Sequence, residues 1–426
     1  MSQKKLIVGS LISHPTITYD EAVLTGTNPW VRRSTELGNA DRILLVQFSS
    51  QLLSGEEESD PAANHYYDTL YSGVRPGYVR LPDFWEIPYW MAFVSYVFAD
   101  ADVYVIRDIP EALQFLNAAG YGRIAFSLMD INKKYIREIA EGYNGHIDVG
   151  GYVNAHSFDD LPHVKWHDTI LSLTEDAGVP YREGIDYRHF GGSRVVPRIT
   201  LSQGCLHRCA FCTVPKILDV ASKAFIDQQV TATLKLDSKL MYVNDKTFGQ
   251  AKNYPYLQEV AYQFDGGFIV QTTASQLLKI PTEWLKTSGI RYIELGVESY
   301  NNSLLRAMHK PANEAIIDKA VALLRECGIA LIPNILIGYP GETEETYAHT
   351  LDFLRANADV ISHVNVYNIA VYPGTELGRQ VGMVNPNDLN ENKLEKSFHG
   401  DTHCHRKFAD EIYTLSCELV SRPRIS

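Results

Sequence analysis

Apolar runs of strand length alternate with helical patterns over the second half of the chain. Six runs are predicted to form strands, at residues 198–202, 239–244, 267–272, 291–297, 330–337 and 363–372. Helices are predicted between them, including 254–264, 314–327 and 344–356. In the second of these helices Ile317, Ala320 and Leu324 recur at helical spacing, and Gly328 follows as a stop signal. Six βα units in a row predict an α/β fold in which a parallel sheet curls into a partial (β/α)6 barrel.

A second, shorter α/β pattern precedes the barrel. Residues 103–106, 123–128 and 146–153 are predicted strands, and 110–119 and 133–143 are predicted helices, which together make half of a Rossmann-like sheet. Further upstream, 42–48 predicts a strand and the aromatic stretch 84–98 predicts core or interdomain packing. We therefore divide the chain into an N-terminal region, 1–167, a connector, 168–197, the barrel, 198–378, and a C-terminal extension, 379–426.

The composition of the chain limits the classes of partner and the cellular compartment that we expect for the protein. The 426 residues carry a net charge of −12, which argues against broad nucleic-acid binding because that needs an accumulated basic face. No apolar run approaches the length of about 20 residues that a membrane span needs, and the start of the chain fits a strand better than an export signal. Six cysteines without a disulfide pattern indicate a reducing compartment, so we expect a cytoplasmic protein.

Three of the six cysteines lie within eight positions, as Cys205-Leu-His-Arg-Cys209-Ala-Phe-Cys212. This spacing lets three thiolates from one loop bind three corners of a 4Fe–4S cluster, so that the fourth iron has no protein ligand. An iron without a protein ligand is what a site needs if a small molecule is to bind the metal. The alternative is a zinc site, which would need a fourth Cys or His, and His207 inside the loop is poorly placed to close it.

The cysteine loop, with Phe211 before its last cysteine, resembles that of the radical S-adenosylmethionine (radical SAM) superfamily, and the likeness extends over residues 195–378. The segment 241–249 resembles the second-strand element, which would make Asn244 or Asp245 an acceptor for the SAM amino group. The segment 293–310 resembles the fourth-strand element, and the segments 337–343 and 372–377 resemble the turns that close the core. The resemblance implies that Phe211, Asn244, Asp245, Glu298, Lys310 and Gly338 contact SAM.

Within that superfamily, the layout is most similar to the branch that carries a cobalamin-binding domain. The Asp-x-His-x-x-Gly loop that supplies a cobalt ligand in other cobalamin proteins is absent, although the segment 186–192 comes close, so cobalamin binding stays open. The methylthiotransferase branch needs a second cluster held by N-terminal cysteines, and residues 1–204 contain none. The three cysteines downstream are too few for an auxiliary cluster. We therefore expect a single cluster.

The resemblance implies an enzyme that reductively cleaves SAM and functionalises a C–H bond, with cobalamin-dependent methyl transfer as one outcome. A flavodoxin or ferredoxin would supply the electron, and a small molecule or peptide is favoured over nucleic acid as substrate. Cys404 is a candidate hydrogen donor beside His399, His403 and His405. Two alternatives stay open: a cobalamin-free epimerase, mutase or C–C bond-forming enzyme, and a non-catalytic iron–sulfur scaffold.

Overall fold

A computed structural model describes the fold over most of the chain. The described residues are 39–48, 89–129, 132–151, 157–189, 197–236, 240–369, 371–372, 374–382 and 402–421, together with the single positions 52, 62, 65 and 69. Within these ranges the strands form two separate parallel sheets and one antiparallel pair.

The N-terminal sheet has five strands: β1 Ile43–Phe48, β2 Asp102–Ile106, β3 Arg123–Leu128, β4 His146–Gly151 and β5 Val164–His167. Their order is β2-β1-β3-β4-β5, and every pairing is parallel. The winding reverses beside β1, so helices can cover both faces, as in a doubly wound fold. The Rossmann-like sheet predicted from the sequence is confirmed, and β5 extends it by a strand that the pattern did not predict.

Helices pack on both faces of this sheet. They are α1 Tyr89–Val97, α2 Ile109–Ala119, α3 Lys133–Gly142 and α4 Ile170–Ala177. Alternate residues of β1 enter different apolar clusters, since Leu45 packs with α1 and Leu44 packs with α2 and α3. Helix α4, which joins the α1 face through Leu173, lies inside the segment that the sequence assigned to a connector.

Eight further strands follow: β6 Arg198–Ile199, β7 Ser202–Gly204, β8 Leu218–Val220, β9 Leu240–Val243, β10 Gly267–Thr272, β11 Ile290–Glu298, β12 Ala330–Ile337 and β13 Asn365–Asn368. Six of them form a parallel sheet in the order β13-β12-β11-β10-β9-β6, which is the order of the chain. Sequential order is what a barrel requires, and no pairing between β6 and β13 closes it in the described part of the chain. The predicted partial barrel is confirmed.

Nine helices accompany these strands within the described ranges: α5 Lys223–Thr233, α6 Tyr256–Ala261, α7 Ala274–Leu277, α8 Thr282–Thr287, α9 Asn302–Ala307, α10 Glu314–Cys327, α11 Glu344–Ala356, α12 Glu376–Gln380 and α13 Thr402–Ser421. The boundaries of α10 and α11 follow from their caps. Asn313 caps α10 and Gly328 ends it in the left-handed conformation, while Thr343 and Thr346 form a capping box at α11.

The last helix, α13, packs against α11 and supplies Phe408 and Ile412 to the barrel core. The Phe408 ring stacks on Tyr347 of α11 with centroids 3.8 Å apart. At the other side of the barrel, Gln229 of α5 is fully buried and bonds both the N–H and the C=O of Thr200. It also accepts the hydroxyl of Tyr89 at 3.2 Å, so one amide joins α1 of the N-terminal sheet to the start of the barrel. No helix among the described residues is long and apolar enough to cross a membrane.

Candidate metal and cofactor site

The cysteine loop is the connection of a short hairpin. Strands β7 and β8 pair in antiparallel fashion on either side of it, which the sequence pattern did not predict. Gly204 has φ +83°, and a Cβ atom there would lie 2.1 Å from the carbonyl oxygen of Ile217. The Cys205 N–H donates to the Pro215 carbonyl at 3.1 Å. Glycine is therefore required where the chain turns into the first cysteine.

Asp245, at the end of β9, fixes the entry to the loop. Its Oδ1 accepts the backbone N–H groups of Leu201 and Ser202, each at 2.9 Å, and its Oδ2 accepts the Ser202 hydroxyl at 2.7 Å. Burial raises the pKa of Asp245, and these hydrogen bonds oppose the rise. Both carboxylate oxygens of Asp245 therefore have hydrogen-bond donors inside the protein. The neighbouring Asn244 is partly exposed, and its Oδ1 accepts a hydrogen bond from Arg198 at 3.0 Å.

The middle of the loop is held from two other elements. The Ala210 N–H donates to the carbonyl of Met308, just after α9, at 2.9 Å, and the Ala210 carbonyl accepts the N–H of Leu377 in α12 at 2.8 Å. The Leu206 N–H donates to the Gln250 side chain at 3.0 Å. The backbone between the cysteines is therefore fixed on several sides at the carboxyl ends of the barrel strands.

The three thiols of this loop are free. Cys205 is buried, and its Sγ lies 3.2 Å from the hydroxyl of Thr247, while Cys209 and Cys212 are partly exposed. Burial raises the pKa of Cys209, and the ammonium of Lys310 opposes that rise. Three thiols with this mixture of burial and access suit a cluster that is held on one side and open on the other.

The spacing of the ligand atoms argues against a single-ion site in the loop. A tetrahedral zinc site brings its ligand atoms within about 4 Å of one another. Among the described residues, the one set of three such atoms mutually within 4.8 Å is His146 and Asp148 of β4 with Asp176 of α4, and it includes no cysteine of the loop. His207, the residue that zinc would recruit, has its Nε2 3.4 Å from the Thr273 hydroxyl. The donor set therefore fits a cluster better than zinc.

Glu298 and Lys310 form a buried ion pair beside the loop. Lys310 Nζ donates to Glu298 Oε1 at 2.8 Å, and the two side chains are only 5% and 12% exposed. Burial alone lowers the pKa of Lys310, but Glu298 and Cys209 outweigh it, so the pKa lies above its usual value. The structure thus brings these two predicted residues together, and both act on Cys209.

The backbone of β11 is distorted to make this pair. Glu298 has φ +61°, which is unfavourable for a residue other than glycine, and the register with β12 shifts between Gly296 and Glu298. A Cβ atom at Gly296 would lie 2.9 Å from both Glu298 Oε1 and Lys310 Nζ. Strain of this kind persists where the surroundings enforce it, and it marks functional sites.

Gly338 begins the turn that follows β12, with φ +86°. Its N–H and that of Tyr339 donate to Glu342 Oε2, at 2.6 and 3.0 Å, and the Tyr347 hydroxyl donates to the same oxygen at 2.6 Å. The Tyr347 oxygen also bonds Nδ1 of His405 on α13. Burial raises the pKa of Glu342 to about 7, while these hydrogen bonds oppose the rise.

Phe211 lies against an apolar cluster at the same end of the barrel. Its ring meets that of Tyr339 edge-on, with centroids 6.4 Å apart. Phe211 is partly buried, so one side of this patch stays accessible. The buried members of the cluster are Leu304, Met308, Leu336, Tyr339, Ile369, Val371 and Leu377.

Three polar residues that meet inside the barrel, Arg198, Tyr242 and Glu294, were not predicted from the sequence as site residues. Tyr242 of β9 donates its hydroxyl to Glu294 of β11 at 2.7 Å, and the guanidinium of Arg198 lies 4.5 Å from the centre of the Tyr242 ring. Burial raises the pKa of Glu294 to about 7. Lys246, just after β9, acts on Glu294 electrostatically. The signal in the sequence was Glu294 itself, a charged residue between apolar neighbours in a strand.

Cys404, the candidate hydrogen donor, is in helix α13, but its side chain lies outside the described residues, as do that of His403 and the whole of His399. His405 is buried and contacts Tyr347. The candidate role of Cys404 therefore stays a prediction.

The Glu298–Lys310 pair generates the first test. Glu298→Gln leaves an ammonium buried without its partner, which costs about 3–5 kcal/mol in the free energy of unfolding. The double variant Glu298→Gln/Lys310→Met should be more stable than the sum of the single losses, by about 0.5–3 kcal/mol. Urea denaturation measures all three, with Glu283→Gln/Lys286→Met, an exposed pair, as the matched control that shows little coupling. If the losses in the free energy of unfolding from the single substitutions at Glu298 and Lys310 were additive, the result would contradict a buried ion pair between them.

Glu342 generates a pH-dependent test. Its pKa in the folded protein is about 7, above the ordinary 4.5, so protonation favours the folded state. The stabilisation is complete below pH 4.5 and is lost as the pH rises through 7. Because glutamine cannot ionise, the stability of Glu342→Gln relative to the unmodified protein should rise over this window, by up to about 3 kcal/mol. Glu345→Gln, at an exposed position in α11 just after that turn, is the control. Equal pH profiles for Glu342→Gln and the unmodified protein would refute this account.

Comparison with known proteins agrees with this geometry. Residues 199–354 match the family model of the radical SAM superfamily. The ribosomal protein uS12 methylthiotransferase RimO of Parasynechococcus marenigrum is 23% identical over 217 residues, 45% of either chain. RimO of Symbiobacterium thermophilum is 28% identical over 200 residues, 42% of this chain and 40% of its own. The match thus spans less than half the length of these curated relatives.

Two solved structures share the fold. The radical SAM methyltransferase TsrM from Kitasatospora setae, with cobalamin and a [4Fe-4S] cluster bound, superposes with a TM-score of 0.52 at 14% identity, over 80% of this chain and 77% of its own. The cobalamin-dependent radical enzyme OxsB, with aqua-cobalamin bound, superposes with a TM-score of 0.51 at 16% identity, over 78% of this chain and 53% of its own. At such identities the likeness concerns the fold alone. Residues 199–354, which contain the cysteine loop and most of the barrel, thus match the radical SAM family model, and the fold is shared with these two radical SAM enzymes.

Proposed function

We propose that this protein is an enzyme that binds one 4Fe–4S cluster through Cys205, Cys209 and Cys212 and uses it to cleave SAM reductively. When bound, the cluster would supply an electron that breaks a carbon–sulfur bond of SAM, and the resulting 5′-deoxyadenosyl radical would take a hydrogen atom from the substrate. The observation that carries the proposal is the set of three free thiols, held on a fixed loop beside the buried pair of Glu298 and Lys310.

The residues around the loop have the chemistry that SAM requires. A carboxylate and an ammonium in one shielded place, Glu298 and Lys310, can bind the hydroxyl and carboxylate groups of SAM by charge-assisted hydrogen bonds. Phe211 offers an apolar face to the adenosine, and the backbone at Gly338 can approach it closely. Asn244 has a partly exposed amide for the amino group, and Asp245 acts as a positioning residue for the loop.

Cobalamin-dependent methyl transfer is the outcome we favour after hydrogen abstraction. The order β2-β1-β3-β4-β5 puts a topological switch point between β1 and β3, and ligands of doubly wound sheets bind at the carboxyl ends of the strands there. The superpositions on TsrM and OxsB cover 80% and 78% of this chain, which is more than the barrel alone, and both structures contain cobalamin. Among the described residues no side chain is assigned as a cobalt ligand.

The relatives' methylthiotransferase activity is not part of the proposal, because residues 1–204 contain no cysteine for the second cluster that this branch needs. We propose a small molecule or a peptide side chain as substrate, in a cytoplasmic enzyme that receives electrons from a flavodoxin or ferredoxin. The net charge of −12 gives no support to broad nucleic-acid binding.

Product analysis tests this proposal. The protein would be reconstituted with iron and sulfide without oxygen, mixed with SAM and dithionite, and assayed by liquid chromatography with and without cobalamin. We expect 5′-deoxyadenosine from the unmodified protein, and S-adenosylhomocysteine in addition only when cobalamin is present. Cys205→Ala and Cys212→Ala should abolish both products, whereas Cys327→Ala, a cysteine outside the loop, should leave them unchanged.

Other outcomes separate the alternatives. Deoxyadenosine that is indifferent to cobalamin, without S-adenosylhomocysteine, would support a cobalamin-free epimerase, mutase or C–C bond-forming enzyme. Neither product, in a sample whose cluster is intact by iron and sulfide analysis, would contradict SAM cleavage and support a non-catalytic iron–sulfur scaffold.

A further inference from the structure

A carboxylate, that of Glu294 in β11, lies on the concave inner face of the barrel sheet. Tyr242 of β9 aligns with Ile269 of β10, and Ile269 aligns with Tyr292 of β11. Glu294 lies two residues beyond Tyr292, and successive side chains of a strand point to opposite faces, so Glu294 and Tyr242 share a face. The Tyr242 hydroxyl donates to Glu294 Oε2 at 2.7 Å across the intervening strand β10. Side chains of strands that are not neighbours converge in this way on the inner face of a curled sheet.

The second carboxylate oxygen of Glu294, Oε1, has no hydrogen-bond donor among the described residues. The residue is only 5% exposed, and burying a carboxylate is costly unless partners surround it. The guanidinium of Arg198 donates to Asn244 and lies over the Tyr242 ring, and it forms no ion pair with Glu294 in the described part of the chain. Oε1 is not one of the unbonded side-chain atoms that are shut off from solvent, so it keeps a path to solvent. This oxygen is therefore available to a ligand that brings a donor.

Gln271 provides a second hydrogen-bonding group next to Glu294. It is the residue of β10 that is in register with Glu294, and it is partly buried. Its backbone carbonyl accepts the N–H of Phe248 at 2.7 Å, whereas its side-chain amide makes no hydrogen bond within the described ranges. A carboxylate oxygen and an amide oxygen on adjacent strands make a pair of acceptors for one group that carries several donors.

These acceptors lie on the same strand face as the ion pair of Glu298 and Lys310. Gly296 is two residues beyond Glu294, which places it about 7 Å further along β11 on the same face. A Cβ atom at Gly296 would lie 2.9 Å from both Glu298 Oε1 and Lys310 Nζ. The cysteine loop is hydrogen-bonded to the segment just before Lys310. A molecule that binds Glu294 would therefore lie deeper in the barrel than the ion pair, on the face that the pair shares.

We propose that Glu294 binds a protonated amine of the substrate, with Gln271 as a second acceptor and Tyr242 as the residue that holds the carboxylate in place. An ammonium has three N–H donors, and its charge compensates a carboxylate that is otherwise buried with one neutral partner. A carboxylate or a phosphate would be repelled by Glu294, and an alcohol would leave the charge of Glu294 uncompensated. The identification of the amine with the substrate rests on the proposed function; the amine site of Glu294 and Gln271 does not.

Ligand-observed NMR spectroscopy of the cluster-reconstituted protein, kept without oxygen, tests the amine site with n-butylammonium as the probe. The controls n-butanol and butyrate have the same chain length without the positive charge. We expect n-butylammonium to bind about tenfold more tightly than either control, since a charge-assisted hydrogen bond in a shielded place is the stronger kind. Glu294→Gln should weaken its binding about tenfold or more, and Gln271→Met about threefold. Glu283→Gln, at an exposed position in α8, is the matched control and should leave the affinity unchanged.

The pH dependence of binding tests the amine site in the unmodified protein, where no variant needs to fold. Burial raises the pKa of Glu294 to about 7, and Tyr242, Arg198 and Lys246 oppose the rise. n-Butylammonium stays protonated over this range and requires the ionised carboxylate, so its affinity should increase about tenfold between about pH 6 and pH 8. Glu342 also has a pKa of about 7, so Glu342→Gln is the control that should keep this dependence.

Each outcome supports the amine site or overturns it. An affinity for n-butylammonium that does not change with pH, or that equals the affinity for n-butanol, would overturn it, as would unchanged binding to a folded Glu294→Gln. Displacement of n-butylammonium by SAM would also overturn it, because Glu294 would then bind the cofactor. If the amine binds as expected but SAM yields no 5′-deoxyadenosine, the amine site stands and the proposed function fails. If SAM is cleaved but the amine does not bind, only the amine site fails.

Discussion

Fixing the cysteine loop to the ends of the barrel strands is the constraint on which the rest of the site depends. Three thiols that share one loop would move independently of the barrel if only their flanking strands held them. The carboxylate of Asp245 joins the entry of the loop to β9, and Ala210 exchanges backbone hydrogen bonds with the segments around Met308 and Leu377. These bonds bring elements that are far apart in sequence onto one short stretch of backbone.

The second requirement is that ionisable side chains buried at the mouth of the barrel have polar partners. Burial lowers the pKa of Lys310, whereas Glu298 and Cys209 raise it above its usual value, and Glu298 has an unfavourable φ angle. Glu342 is kept among three donors, and through Tyr347 it connects the turn at Gly338 to His405 of the last helix. The C-terminal helix thus takes part in holding the turn beside the site.

The sequence predicted most of the architecture because periodic patterns reflect burial directly. Helix α10 occurs at the predicted residues, since its apolar stripe and its stop at Gly328 are local signals. Strand β5 and the hairpin of β7 and β8 were not predicted, because they are too short to show a period and depend on pairing with distant residues. The pairing of Glu298 with Lys310 agrees with their expected proximity, but the need for Gly296 beside them appears only in three dimensions. Asp245 was expected to face a ligand, and its hydrogen bonds to Leu201 and Ser202 could not be inferred from an Asn-Asp sequence.

The central claim is that three cysteines hold a cluster whose fourth iron is open to SAM. Mössbauer spectroscopy of protein reconstituted with ⁵⁷Fe, recorded before and after addition of SAM, tests it most directly. The account predicts that one iron of each cluster changes its isomer shift while the other three do not. Zinc in place of iron after anaerobic purification, or a spectrum in which SAM leaves every iron unchanged, would contradict it.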